Sequence, residues 1–196
     1  METRTGGCYD GGILEYSTDA GATWKKLTNG LPTEAIDRPG MAVSMSNPNI
    51  VYTMVEADSV RGAKPQMLLS GLYRSSDAGK TWKWMSTINN RPFYFSQVRV
   101  DPKNPNRVYR MAVDFAFSDD GGRSWKLSMI GNHEDYHAMW INPNDPDHFI
   151  IAGDAGVFQT FDRGGTFDSI NNMPMGQFYG VSYDFQVPYR VCGGLQ

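Results

Sequence analysis

Long hydrophobic runs, an excess of basic charge and a framework of cysteines are all missing from this 196-residue sequence. No apolar run approaches the roughly 20 residues that a membrane-spanning helix needs, so no membrane span is predicted. Lys and Arg are interspersed with Asp and Glu, and the formal net charge is -3. Because no basic stripe is available to neutralise a phosphate backbone, the composition predicts no nucleic-acid partner.

The sequence has only two cysteines, Cys8 and Cys192, one near each end. Two distant cysteines form neither a metal-binding knuckle nor a disulfide framework. Two free thiols are one interpretation. A disulfide that joins the two ends is the other, and it needs Cα atoms within about 7 Å of each other.

Turn-forming residues and short β-rich runs make up most of the chain. Glycine (21 residues), proline (11) and aromatic residues (13%) are plentiful, whereas long stretches with the period of an amphipathic helix are hard to find. Short apolar runs alternate with clusters of Gly, Asn, Asp and Pro. This pattern is typical of an all-β domain with many short strands.

One eight-residue pattern recurs four times: Ser or Thr, any residue, Asp, any residue, Gly, any residue, Thr or Ser, aromatic. Its Asp positions are 19, 77, 120 and 162, so the intervals are 58, 43 and 42 residues. A period near 40 to 45 residues is typical of the four-stranded blade of a β-propeller. The longer first interval indicates an insertion in one loop, at about residues 57–71.

A second motif keeps the same phase as the first. Asn47-Pro48-Asn49, Asn104-Pro105-Asn106 and Asp145-Pro146-Asp147 each precede a short apolar strand. Two motifs that share one period predict a repeated unit with an inner strand, an Asn-Pro turn, two further strands, the eight-residue turn and a fourth strand. The predicted fold is therefore an all-β propeller of four-stranded blades.

The predicted segment contains about four blade-equivalents, because its ends fall inside blades. We predict a single propeller segment over 1–196, with a partial blade at 1–30, blades at about 38–88, 93–131 and 136–173, and a partial blade at 176–196. In one interpretation the segment is part of a larger propeller. In the other, the two partial blades pair with each other and close a four-bladed ring. If the ring stays open, its sheet edges favour self-association.

The fixed residues of the eight-residue turn have a structural explanation. Its Asp can accept hydrogen bonds from turn N–H groups, its Gly permits a backbone conformation closed to other residues, and its aromatic ring packs between blades. No ligand is needed to account for them. The residues given this structural role are Asp19, Gly21, Trp24, Asp77, Gly79, Trp82, Asp120, Gly122, Trp125, Asp162, Gly164 and Phe167.

The four turns resemble the Asp-box, or bacterial neuraminidase, repeat. The order of Asn-Pro turn, strand and box is similar to that of sortilin-like and xyloglucanase-like propellers. Residues 133–143, 176–181, 188–191 and 193–196 also resemble segments of large secreted bacterial repeat proteins that are often called glycosyl-hydrolase-like. The resemblance covers nearly the whole chain. It implies a secreted or periplasmic parent protein, although residues 1–7 lack the pattern of a signal peptide.

A ligand is expected on the face opposite the boxes, where propellers usually bind ligands around the central channel. The loops between blades and those between second and third strands lie there. Their aromatic rings can stack on sugars or pack against peptide side chains, and their carboxylates and arginines can bind hydroxyl or charged groups. We predict a glycan or protein ligand, contacted by Arg91, Phe93, Tyr94, His133, Asp135, His137, Gln177 and Tyr179.

The triplet His133-x-Asp135-x-His137 is the most concentrated polar group in these loops. Alternate residues of an extended segment lie on one side, so the triplet can contact substrate or bind a divalent metal. In a third interpretation it braces the channel mouth, with Asp135 holding His137. Bracing is the interpretation we favour, and no metal site or cofactor is predicted.

Hydrolysis of a glycosidic bond needs two carboxyl groups roughly 5 to 10 Å apart. Asp37, Glu134 and Asp135 are the catalytic candidates, with no motif that singles one out. Other acids, Glu56, Asp114 and Asp154, recur at equivalent blade positions, which indicates a structural role. The first hypothesis is a protein- or glycan-binding scaffold in a secreted glycosyl-hydrolase-like repeat protein. The alternative is part of a glycoside hydrolase acting on polysaccharide, in which this chain alone is inactive.

Overall fold

A computed structural model describes residues 11–12, 14–32, 36–57, 70–89, 97–128, 130, 135–170, 172 and 178–195. All regular elements in these ranges are β-strands, which confirms the predicted all-β fold. No helix in them is long and apolar enough to cross a membrane. The strands are β1 Gly11–Gly12, β2 Glu15–Tyr16, β3 Lys25–Lys26, β4 Ile36–Val43, β5 Val51–Ala57, β6 Gly71–Ser75, β7 Lys83–Ser86, β8 Gln97–Val100, β9 Val108–Met111, β10 Phe115–Ser118, β11 Lys126–Ser128, β12 Tyr136–Ile141, β13 Phe149–Gly153, β14 Gly156–Thr160, β15 Asp168–Ile170, β16 Phe178–Tyr183 and β17 Val191–Leu195.

Consecutive strands pair antiparallel in three complete sheets. Strands β4 to β7 form the first sheet, β8 to β11 the second and β12 to β15 the third. Strand β1 adds to the first sheet, with Gly11 opposite Asp37 on β4. The sequence did not predict this extra strand, because two glycines carry no side-chain pattern that identifies a partner.

Two further pairs of strands stand beside the complete sheets. Among the described residues, β2 pairs with β3 alone, and β16 pairs with β17 alone. We call β2–β3 the amino half-sheet and β16–β17 the carboxyl half-sheet. The sheets therefore do not close into a ring within the part of the chain that the structure describes.

The turns after the first strands share one backbone geometry. In four pairs of residues, a backbone N–H donates to a carbonyl six positions later, at 3.0 to 3.1 Å. With the donor first, the pairs are Ser44–Ile50, Asp101–Arg107, Asn142–His148 and Asp184–Arg190. The last pair lies in the carboxyl half-sheet. Its two strands are therefore equivalent to the first and second strands of a complete sheet.

Each Asp box closes its hairpin with the same hydrogen bonds. In the first box the Ser17 hydroxyl donates to Asp19 Oδ1 at 2.6 Å, and the Gly21 N–H donates to Ser17 Oγ at 2.8 Å. The N–H and the hydroxyl of Thr23 donate to the two oxygens of Asp19, at 2.8 and 2.5 Å. The three later boxes repeat all four bonds. The box carboxylates thus bind their own turns.

These hydrogen bonds favour the ionised form of the box carboxylates. The pKa is lowered to about 2 at Asp19, Asp77 and Asp162. The largest cause is the Ser17 hydroxyl for Asp19, the Thr81 hydroxyl for Asp77 and the Thr166 N–H for Asp162. The Ser124 hydroxyl is the largest cause of the lowered pKa of Asp120. The four turns therefore carry negative charge at any ordinary pH.

The glycine in each box is required by the backbone. φ is between 87° and 90° at Gly21, Gly79, Gly122 and Gly164, in the left-handed region that side chains disfavour. At Gly122 a Cβ would also lie 2.2 Å from Leu72 Cδ2 of the preceding sheet. This glycine therefore permits both the turn and the close approach of two sheets.

The hydrophobic core lies between neighbouring sheets. Between the amino half-sheet and the first sheet, Leu14 and Leu27 pack with Val51 and Trp82. Between the first and second sheets, Met54 and Leu72 pack with Val98 and Val108. Between the second and third sheets, Tyr109 and Phe115 pack with Phe149 and Ile151. The first and second sheets are thus each packed against a neighbour on both faces, as expected for stacked blades.

Candidate ligand-binding face

The turns between second and third strands lie at the sheet ends opposite the Asp boxes. In the second sheet this turn is residues 112–114, and in the third it is residues 154–155. Strand β12 begins beside both turns. We call the polar group gathered at these ends the ligand face, and it consists of Arg110, Asp114, Asp135, His137 and Asp154.

The backbone of Asp135 joins the second and third sheets on the ligand face. Its N–H donates to the carbonyl of Val113 at 2.8 Å, and its carbonyl accepts from the N–H of Asp154 at 3.1 Å. The next residue, Tyr136, donates its N–H to the carbonyl of Ala112 at 2.8 Å. Asp135 therefore connects the two turns that carry Asp114 and Asp154.

Two backbone features show how tightly Asp135 is placed. Its φ is 72°, a left-handed value that only a few per cent of non-glycine residues adopt. A Cβ on Gly153 would lie 2.3 Å from the Asp135 carbonyl oxygen, so only glycine fits at position 153.

His137 and Asp154 form a side-chain pair on the ligand face. The distance from His137 Nε2 to Asp154 Oδ1 is 3.3 Å, and the two side chains are 38% and 37% exposed. The pair joins the beginning of β12 to the turn that follows β13. Both side chains remain accessible to a ligand.

Arg110 and Asp114 form a second pair, with one buried partner. Arg110 Nη2 donates to Asp114 Oδ1, and the side chains are 1% and 27% exposed. Burial lowers the pKa of the guanidinium, and the carboxylate of Asp114 acts in the opposite direction. Arg110 Nε and Nη1 have no hydrogen-bond partner among the described residues. The partly exposed carboxylate of Asp114 is therefore the partner that the structure shows for the buried guanidinium of Arg110.

The structure brings together only part of the site predicted from sequence. Asp135 and His137 lie on the ligand face. The backbone of Asp37 lies in β4 opposite Glu56 of β5, at the same end of the first sheet, and the backbone of Tyr179 lies in β16. The predicted residues outside the described ranges are Arg91, Phe93, Tyr94, His133, Glu134 and Gln177. Their roles stay predictions.

Arg110 is the ligand-face residue that sequence reasoning missed. Its signal is a charged residue inside the apolar strand Val108-Tyr109-Arg110-Met111, four positions before Asp114. A charged residue at a buried strand position is nearly always paired, so the next acid along the chain was its natural partner.

The two remaining questions from the sequence concern metals and cysteines. In the ranges that the structure describes, no group of three or more His, Cys, Asp or Glu side chains could bind a metal ion. Cys192 is an exposed free thiol. Cys8 and His133 lie outside those ranges, so the end-joining disulfide and the full histidine triplet stay predictions.

The repeat and the fold agree with those of known proteins. Residues 15–26 match the BNR/Asp-box repeat family. The crystal structure of the GH74 enzyme from Niastella koreensis superposes with a TM-score of 0.60 at 17% sequence identity, covering 90% of this chain and 32% of that one. Likeness at this identity shows the fold alone. The predicted β-propeller is confirmed, and the chain is a propeller segment with Asp-box turns.

Two curated relatives are similar in sequence over most of the chain. One is the probable oligoxyloglucan-reducing end-specific xyloglucanase of Neosartorya fischeri, 29% identical over 164 residues, which are 78% of this chain and 20% of the relative. The other is the oligoxyloglucan-reducing end-specific xyloglucanase of Emericella nidulans, 28% identical over 169 residues, 80% of this chain and 20% of the relative. The chain spans about a fifth of the length of these relatives. Its similarity to glycoside hydrolases confirms the resemblance found in the sequence.

Proposed function

We propose that this propeller segment binds a glycan on its ligand face, as a scaffold within a larger glycoside-hydrolase-like repeat protein. The observation that carries the proposal is the gathering of Asp114, Asp135, Asp154 and His137 at the adjoining ends of two sheets, away from the Asp boxes. Carboxylate oxygens accept hydrogen bonds from sugar hydroxyls, and an imidazole N–H donates to them. The side chains of His137 and Asp154 are 38% and 37% exposed, so a ligand can reach both.

The similarity to xyloglucanases supports a polysaccharide over a peptide as the ligand. Both curated relatives are named for oligoxyloglucan, and the similarity covers most of this chain. The box aspartates are not part of the proposed site, because each carboxylate already accepts hydrogen bonds from its own turn. Xyloglucan oligosaccharides are therefore the first ligands to test.

Titration calorimetry of the full chain with xyloglucan oligosaccharides tests this proposal. We expect binding that weakens at least about tenfold, or roughly 1.4 kcal/mol, in Asp154→Asn and in His137→Gln. Asp168→Asn is the matched control, because it removes the same charge at an exposed position on β15. Equal affinity in all three variants, or no binding by the unmodified chain, would contradict the proposal.

The second candidate function is participation in glycoside hydrolysis. The observation that favours it is the arrival of three acids, Asp114, Asp135 and Asp154, from loops joined by direct backbone hydrogen bonds. Two carboxyl groups roughly 5 to 10 Å apart are what the reaction needs. Release of reducing sugar by a parent protein carrying this segment, lost in Asp135→Asn or Asp37→Asn, would support this candidate. Unchanged release in both variants would exclude Asp135 and Asp37 as catalytic residues.

The location of a parent protein is part of the same proposal. A segment that binds polysaccharide acts where polysaccharide is found, so we place the parent outside the cytoplasm, secreted or periplasmic. Cell fractionation followed by immunoblotting tests this placement. Recovery of the parent from the cytoplasmic fraction alone would contradict it.

A further inference from the structure

Strand β12 contains a β-bulge at its ligand-face end. Tyr136 lies opposite Gly153 of β13, and Ala138 lies opposite the residue that precedes it, Ala152. His137, between Tyr136 and Ala138, is therefore one extra residue with no residue opposite it. A bulge of this kind interrupts the alternation of side chains along a strand and redirects a side chain, often next to an active site.

The same bulge recurs in two other first strands. An advance of three residues along β4, from Asp37 to Gly40, is matched by an advance of two along β5. In β16 the step from Phe178 to Gly180 is matched by a step of one residue along β17. In each strand the extra residue lies five positions before the N–H donor of the following turn: Pro39 before Ser44, His137 before Asn142 and Tyr179 before Asp184. We call these three the bulge residues, and the corresponding residue of the second sheet, Ser96, lies outside the described ranges.

The bulges change which face the side chains beyond them occupy. Tyr136 and Met139 are three positions apart, which places side chains of a regular strand on opposite faces, yet both pack in the core between the second and third sheets. Ile36 and Ala42 are six positions apart, which gives one face in a regular strand, yet they pack in cores on opposite sides of the first sheet. Without His137, Tyr136 and Met139 would share a face by ordinary alternation. His137 is thus an insertion that the core does not use.

His137 lies on the ligand face instead of in a core. Its Nε2 is 3.3 Å from Asp154 Oδ1, and its side chain is 38% exposed. Neighbouring sheets approach each other at their first strands, as β4 does β8, which is expected of the inner strands around the central channel of a propeller. The bulge in β12 therefore places an imidazole at the mouth of that channel.

We propose that the bulge residue of each first strand is the position through which its blade contacts the glycan, so that His137 and Tyr179 are contact residues. The inference rests on the proposed function and assigns its contacts to one position in each blade. An imidazole hydrogen-bonds to sugar hydroxyls, and a tyrosine offers an aromatic ring with a polar end. Pro39 offers no hydrogen-bonding side chain at the same position. One residue per blade then sets the chemistry of the face without any change in the cores.

Deletion of His137 from the full chain tests whether the extra residue serves the fold. The deletion leaves Tyr136 and Met139 two positions apart, so both keep the face that they have now. We expect the melting temperature to stay within about 4 °C of that of the unmodified chain. Deletion of Trp140 is the matched control, because it turns Ile141 to the face opposite Met139, and we expect the melting temperature to fall by at least about 10 °C. Equal falls in the two deletion variants would overturn the proposal.

Titration calorimetry with xyloglucan oligosaccharides tests the contacts themselves. We expect the affinity to fall at least about tenfold on deletion of His137 and at least about fivefold in Tyr179→Ala. The matched controls are His148→Ala, which changes a histidine just before β13 at the Asp-box end of the third sheet, and Tyr183→Ala, which changes the last residue of β16. Both controls should keep the affinity of the unmodified chain.

The calorimetry also separates this inference from the proposed function. Unchanged affinity in Tyr179→Ala, together with weakened binding in Asp154→Asn, would overturn this inference alone. Equal losses of affinity in Tyr179→Ala and Tyr183→Ala would likewise overturn it, because the bulge position would then have no special role. No binding by the unmodified chain would overturn both proposals.

Discussion

His137 Nε2, at the beginning of β12, lies 3.3 Å from Asp154 Oδ1, in the turn after β13. Both side chains are more than a third exposed, so water screens their interaction. Exposed ion pairs of this kind contribute about 0 to 1 kcal/mol to folding. A contribution in this range is expected if the pair contacts a ligand, and a larger one is expected if the pair braces the channel.

A double-mutant cycle distinguishes these two roles. We expect His137→Gln and Asp154→Asn to show a coupling energy below about 1 kcal/mol in urea denaturation. The same variants are expected to weaken glycan binding. A coupling above about 2 kcal/mol would instead assign the pair to bracing.

The box carboxylates predict a specific loss of stability in acid. The ordinary pKa of 3.8 falls to about 2 in the folded chain at Asp19, Asp77 and Asp162. Since the folded value is the lower one, the stabilisation is complete above the unfolded pKa and is lost as the pH falls through the folded pKa. We expect the melting temperature to be nearly constant above about pH 4.5 and to fall between about pH 4 and pH 2.

One box variant separates this effect from general acid unfolding. Asp77→Asn removes one of the titrating groups, so we expect a lower melting temperature at neutral pH and a shallower fall in acid. Asp168→Asn, outside the boxes, should keep the full fall. Parallel curves for the Asp77→Asn and unmodified chains would show that the box at Asp77 does not contribute.

Gly122 and Gly156 allow backbone strain to be separated from a steric clash. Both have positive φ, 90° and 112°, but a Cβ at Gly122 would lie 2.2 Å from Leu72 Cδ2, whereas nothing lies within 4 Å at Gly156. We expect Gly156→Ala to cost about 1 to 2 kcal/mol and Gly122→Ala about 3 kcal/mol or more. Urea denaturation measures both, and equal costs would mean that Leu72 moves away freely.

The Arg110–Asp114 pair predicts unequal effects of its two halves. Asp114→Asn leaves a buried guanidinium without its carboxylate, and we expect a loss of about 2 to 4 kcal/mol. Arg110→Met leaves a partly exposed carboxylate that water can reach, and we expect a loss below about 1 kcal/mol. Free energies of unfolding measured for the two variants test this order. A larger loss for Arg110→Met than for Asp114→Asn would contradict the prediction.

The repeat could be predicted from sequence because its bonds are local. Every side-chain bond that closes an Asp box joins residues at most four positions apart, so the required residue types occur together in the sequence. The period of the boxes then fixed the four-stranded sheets. The number of strands per sheet and the all-β class followed from this one pattern.

The ligand face could be predicted only in part, because its bonds join distant residues. Asp135 was found in a conspicuous triplet, but its backbone partners, Val113 and Asp154, belong to two different sheets. The partner of His137 also depends on the register of β12 against β13. The sequence contains no local sign of either contact. It does show Arg110 inside an apolar strand, but the burial of that side chain depends on how the sheets stack.

The location of the core between sheets has a consequence for how the chain unfolds. Because each cluster joins two neighbours only, opening should spread from sheet to sheet along the array, as in repeat proteins with nearest-neighbour coupling. Strand β9 is buried along its whole length and has a core on each side, whereas the carboxyl half-sheet is exposed. Amide hydrogen exchange should therefore follow a gradient, slowest in β9 and fastest toward β17.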